Sequence, residues 1–60
     1  MSESEARDVQ NFRTIQAMKK YGGGFVAALA EAASRADAQN LARLKHAFPE
    51  YFAQYAEMAQ

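Results

Sequence analysis

Gly22-Gly23-Gly24-Phe25-Val26-Ala27-Ala28-Leu29-Ala30-Glu31-Ala32-Ala33-Ser34-Arg35-Ala36 decides how this chain folds. Three glycines interrupt whatever precedes them, and an alanine-rich segment with almost no polar side follows. A helix that is apolar nearly all round must be covered on several faces. Glu31, Ser34 and Arg35 alone offer water a surface, and Glu31 and Arg35 stand one helical turn apart as a favourable ion pair. The remainder of the 60 residues therefore reads as material that covers this helix.

Upstream, residues 1–21 carry helix signals that agree with one another. Ser2 followed by Glu5 is a capping-box pattern, in which each side chain satisfies a free backbone N–H of the first turn. Glu3, Glu5 and Asp8 place negative charge at the start and Lys19 and Lys20 place positive charge at the end, both matching the helix dipole. Gly22 is expected to supply the left-handed residue that closes such a helix. The large apolar residues Val9, Phe12, Ile15, Met18 and Tyr21 recur at every third position. At 3.6 residues per turn each such step falls back by about 60°, so the stripe winds around the helix. A winding stripe suits a helix that crosses its neighbours steeply or touches two partners, one of which could be a second copy of the chain.

Downstream, no glycine or proline occurs between Gly24 and Pro49. The apolar phase nevertheless argues against one long helix. Phe25, Leu29, Ala32 and Ala36 share one face, whereas Leu41, Leu44 and Phe48 share another rotated by roughly 120°. A phase jump needs a break, and Asp37 is the best N-cap between the two sets. Pro49 ends the third helix, because the residue before proline is pushed out of the helical region, and proline is at home in the first turn of the next. No alternating pattern or hairpin turn appears. The expected fold is one all-α domain over residues 1–60, a small bundle of helices at about 3–21, 24–35, 38–47 and 49–58.

Half of the residues are hydrophobic, but 14 of these 30 are alanine, and no cysteine is present to staple the fold. A chain this short buries only about 60% of its unfolded surface, which leads to the expectation of a homo-oligomer. Net charge is zero, laid out as −2 over residues 1–10, +3 over 11–20, +1 over 31–46 and −2 over 50–57. A neutral chain lacks the electrostatic footprint of a dedicated nucleic-acid binder. No apolar run approaches the ~18 residues of a membrane span, so no membrane partner is expected. No charged start followed by an apolar core marks a signal peptide, which makes the cytoplasm the expected compartment.

From Tyr21 to Tyr55 the chain reads YGGGFVAALAEAASRADAQNLARLKHAFPEYFAQY. In its GGGF start, its alanine-rich helix, its ADAQNLARLK turn and helix, and its FPEY with a following aromatic, it resembles a group of short helical proteins encoded by bacteriophages and prophages. Residues 1–20 add nothing to the resemblance. It implies a phage context, hence a host cytoplasm and a host protein as partner, and carries no particular chemistry with it.

Few residues suit catalysis, which needs a nucleophile, a base and a stabiliser held in fixed geometry. Ser2 and Ser4 fall where capping explains them, and His46 falls on the polar side of the third helix with Gln39 and Arg43. His46 and Glu50 are separated by Pro49 and make a poor metal pair, and one histidine with scattered carboxylates is no four-ligand zinc site. Gly22–Gly24 lack the Lys-Ser/Thr that follows the glycines of a phosphate loop. No enzyme, cofactor or metal is therefore expected.

Two binding readings compete. The second and third helices are short and tightly joined, and Gln39, Asn40, Arg43 and His46 are types that read base edges or phosphates, which makes a helix-turn-helix regulator the alternative. Against it stand Asp37, which would lie near the phosphates, and the zero net charge that removes non-specific attraction. Phe48, Tyr51, Phe52 and Tyr55 crowd four of the seven aromatics into eight residues. Phe48 and Phe52 are expected in the core. Arg43, His46, Tyr51 and Tyr55 are expected to form a partner-binding surface, since tyrosine and arginine concentrate at interface hot spots. The expected function is a small protein-binding module, in its most concrete form a phage-encoded inhibitor of a host defence protein acting by stoichiometric binding.

Overall fold

A computed structural model describes the backbone of residues 3–59 and the side chains of residues 6–59. It contains four helices, α1 (Glu3–Tyr21), α2 (Gly24–Arg35), α3 (Ala38–Ala47) and α4 (Pro49–Met58), and no strand among the described residues. This is the small all-α bundle expected, with the boundaries expected. The Ser2–Glu5 capping pair lies outside the described side chains.

The element that the others cover is α1, not α2. Helix α1 packs along both α2 and α4, while α3 meets α2 and α4 more lightly. Its inward side is Thr14, Ile15, Ala17 and Met18, with Met18 completely enclosed. The winding stripe thus enters the core only in its middle: Ile15 and Met18 are buried, and Val9, Phe12 and Tyr21 emerge into solvent at its two ends. Thr14 is the one buried polar side chain described. Its hydroxyl donates to the Gln10 carbonyl at 2.8 Å, which removes the desolvation cost of an unpaired group.

The core face of α2 is Val26, Leu29, Ala30 and Ala33, rotated from the expected Phe25, Leu29, Ala32 and Ala36. Phe25 and Ala32 are exposed. An alanine-rich helix offers several nearly equivalent apolar faces, and the one chosen sets Val26, Ala30 and Ala33 towards the interior. The same composition explains why one covered face suffices: an exposed alanine leaves a single methyl in water, about 0.8 kcal/mol at most.

Gly22 also works differently from expectation, because no described glycine has a positive φ. Its N–H donates to the Met18 carbonyl at 2.9 Å, continuing the helical pattern. Its value lies in the missing side chain. A Cβ here would stand 2.5 Å from the Met18 carbonyl oxygen and collide with Val26, so glycine lets α2 turn back closely on α1. Gly23 is the N-cap of α2 in an extended conformation and offers no side-chain cap.

The break between α2 and α3 falls at Ala36–Asp37. Asp37 is extended, with φ −71° and ψ 175°, and its carboxylate accepts from the Asn40 N–H at 2.8 Å. Phe48 leaves the helical region at φ −130° and ψ 58°, serving as C-cap of α3 and N-cap of α4, with Pro49 opening α4. Phe52 and Tyr55 carry α4 into the core, joined at its edge by Leu41, Leu44, Phe48 and Tyr51. Polar ties cross between helices at three places. Lys19 meets Glu31 at 3.3 Å, the Lys45 ammonium donates to Asn11 at 3.0 Å, and Gln10 donates to the Ala56 carbonyl at 3.4 Å.

Candidate functional site

Four residues were expected to share a binding surface, and the structure separates them. Arg43 and His46 are exposed on the side of α3 away from the core. Tyr51 is half-buried in a cluster of three rings. Its centroid lies 5.9 Å from that of Phe25 and 6.2 Å from that of Phe48, and Phe25 meets Phe48 edge-on at 5.7 Å. Tyr55 is 8% exposed and belongs to the core. Its placement on the surface is thus corrected. Positions 52 and 55 are three apart, so on a ten-residue helix both rings turn to the same side, and that side faces α1.

Ser34, Thr14 and Glu31 have their polar side-chain groups engaged locally. The Ser34 hydroxyl donates to the Glu31 carbonyl at 2.8 Å, and the Thr14 hydroxyl donates to Gln10 within the core. Glu31 holds the strongest charge pairing described, receiving Arg35 at 2.8 Å along α2 and Lys19 at 3.3 Å from α1. The Arg35 hydrogen bond first, and Lys19 second, hold its carboxyl below the ordinary carboxylate range. Among the described residues no group of three His, Cys, Asp or Glu side chains converges as a metal site. No described helix is long and apolar enough to cross a membrane.

What the surface does present is apolar. Five large hydrophobic side chains are exposed among the described residues: Val9, Phe12, Tyr21, Phe25 and Met58. Val9 stands by itself, and the other four divide between two places. Phe25, at the start of α2, joins Phe48 and Tyr51 in the ring cluster. Phe12, Tyr21 and Met58 line an open groove of about 400 Å³ between α1 and the end of α4. Arg13, Gln16 and Lys20 complete its α1 side, and Ala17 and Ala59 complete its floor. A second groove of about 310 Å³ runs between α1 and α4 over Thr14, Phe52 and Ala56, but its polar groups Gln10, Asn11 and Lys45 are bonded to the protein itself.

Sequence reasoning assigned Phe12 and Tyr21 to the winding stripe without separating their ends from its middle. The 60° step carried the needed signal: over the nine residues from Phe12 to Tyr21 the stripe turns through half the helix circumference. A single packed side cannot hold both ends. No family model, no curated protein and no solved structure matches this chain.

Proposed function

We propose that this protein acts by binding another protein stoichiometrically, without catalysis. The observation that carries this reading is the exposure of Phe12, Tyr21, Phe25 and Met58 on a chain of 60 residues, grouped into two patches. Contiguous apolar patches of this kind mark interaction surfaces, and aromatic residues dominate the energetics of interface centres. The resemblance of residues 21–55 to small phage proteins gives the reading its most specific form: an inhibitor or modulator of a host protein, such as a component of a defence system, in the host cytoplasm.

The outer side of α3, with Gln39, Asn40, Arg43 and His46 all exposed, favours a second reading as a DNA-binding regulator. One experiment separates the two. The tagged protein is used to capture partners from a bacterial lysate, with and without nuclease, beside variants carrying Phe12→Asp with Phe25→Asp or Arg43→Glu with His46→Glu. Recovery of a defined protein that depends on Phe12 or Phe25 supports the protein-binding reading. Recovery dominated by nucleic acid, lost in the α3 variant, reverses the order.

A further inference from the structure

We infer that the groove between α1 and the C-terminal end of α4 is the docking site for an acidic amphipathic helix of a partner protein. This rests on the protein-binding reading and names the surface and the chemistry it selects. The apolar content of the groove comes from three side chains that the fold itself leaves uncovered: Phe12 at 63% exposure, Tyr21 at 56% and Met58 at 47%. Phe12 and Tyr21 mark its two ends along α1 and Met58 its α4 side, around a shallow groove of the kind that receives the apolar side of a helix.

Its charge is of one sign. Arg13 and Lys20 stand on α1 between Phe12 and Tyr21, and no carboxylate is among the residues that line the groove. Neither cation enters an ion pair among the described residues, whereas the adjacent Lys19 is committed to Glu31 across the α1–α2 contact. Lys20 stands over the Tyr21 ring with its ammonium 5.3 Å from the centroid, which holds the charge against the apolar surface. Arg13 and Lys20 are seven residues apart on one straight helix, so they share a side and stand about 10 Å from each other along it.

That spacing describes the occupant. A helix lying along α1 meets the two cations with carboxylates at its positions i and i+7, and its apolar residues at i+3 and i+4 fall between them, over Ala17, with Phe12 and Tyr21 beyond the cations at either end. The chain's own acidic segment fits less well. Residues 1–10 carry −2, but among the described residues of that segment Val9 is the one large apolar side chain exposed. An anionic bilayer matches the charge but is indifferent to the spacing of the two cations along α1.

The test uses the full chain and defined probes. A short labelled helical peptide with Glu at i and i+7 and Leu at i+3 and i+4 is titrated by fluorescence anisotropy, beside the same peptide with Lys in place of Glu. Vesicles rich in phosphatidylserine and a short DNA duplex are offered separately. The acidic peptide is expected to bind, more weakly as salt rises, and the Lys peptide is not. Arg13→Glu with Lys20→Glu should weaken acidic-peptide binding about tenfold or more through like-charge contact, and should transfer preference to the Lys peptide. Phe12→Ala should weaken it about tenfold. Arg43→Glu should change nothing, and circular dichroism should show all variants folded.

Failure of the acidic peptide to bind, equal binding of both peptides, or indifference to the double charge reversal would overturn the inference. So would preference for vesicles or DNA, or a dimer of the protein alone that the same variants dissolve. Lysate capture distinguishes the two levels. A defined partner that still binds the Arg13→Glu, Lys20→Glu variant leaves the protein-binding reading standing and removes the groove from it, whereas no protein partner at all removes both.

Discussion

Among single residues, the glycines make the sharpest contrast. Gly22, Gly23 and Gly24 are adjacent in sequence, yet only Gly22 is closely packed, against Val26 and the Met18 carbonyl; beside the other two there is open space. Gly22→Ala should therefore destabilise by about 1–3 kcal/mol, the usual result of inserting atoms into a packed contact. Gly24→Ala at the open end of α2 should be neutral or stabilise by up to about 1 kcal/mol, because alanine narrows the unfolded ensemble. Thermal melts of the two variants decide it; equal effects would mean that the α1–α2 approach is looser than described. Glu31 gives a pH prediction. Its carboxyl is held below the ordinary value of 4.5 by Arg35 and then Lys19. A carboxyl depressed by folding contributes stability that is present above its unfolded value and is lost as pH falls through the lower folded value. The pair is solvent-exposed and the contribution small. Stability measured against pH should fall on the acid side in the native protein, and Glu31→Gln should flatten that part of the curve, more so at low salt than at high.

Individual elements show which patterns were legible in the chain and which were not. The four helices were, because their ends are local chemistry. Pro49 cannot continue α3, the glycines interrupt α1, and Asp37 accepts the Asn40 N–H that a continuous helix would have bonded elsewhere. If that cap matters as its geometry indicates, Asp37→Ala should cost about 0.5–2 kcal/mol; a neutral or stabilising outcome in urea unfolding would mean that α2 and α3 join as one helix. Helix faces were less legible. On α2 the alanines make several orientations nearly equally apolar, so the choice of Val26 and Ala30 over Phe25 and Ala32 is settled by how the bundle closes. The candidate site failed at Tyr55 for a related reason. Tyrosine is equally at home in a core edge and an interface, and the signal that separated the two was its i, i+3 relation to Phe52, a residue expected in the core. Arg13 and Lys20 are ordinary helix-surface residues until Met58 is brought beside them from the other end of the chain.

At the scale of the whole molecule, few large side chains hold the fold. The buried set is Ile15, Met18, Val26, Leu29, Phe52 and Tyr55, supplemented by three alanines. A domain of this length has roughly 3–9 kcal/mol of stability to lose. Phe52→Ala should remove about 3–5 kcal/mol, enough to leave the protein largely unfolded at elevated temperature, and Tyr55→Ala should behave the same way. Tyr51→Ala, which removes one ring from a half-buried cluster, should cost only about 1 kcal/mol. Circular dichroism melts rank the three. A Tyr55→Ala protein that melts like the native one would return that ring to the surface.

Helix α3 contributes no buried residue, and seven of its ten positions are exposed. Its place is kept by the Asp37 cap, the Phe48–Pro49 junction, the Lys45–Asn11 bond and the half-buried Leu41 and Leu44. The outer side of α3 is therefore nearly free of folding constraint, and sequence there is at liberty to drift. In a saturation library selected only for the folded state, positions 39, 42, 43 and 46 should accept almost any residue compatible with a helix, while positions 18, 22, 29 and 52 should accept almost none. Any intolerance that appears at Arg43 or His46 when the same library is selected for biological effect has its origin outside the fold, in whatever α3 touches.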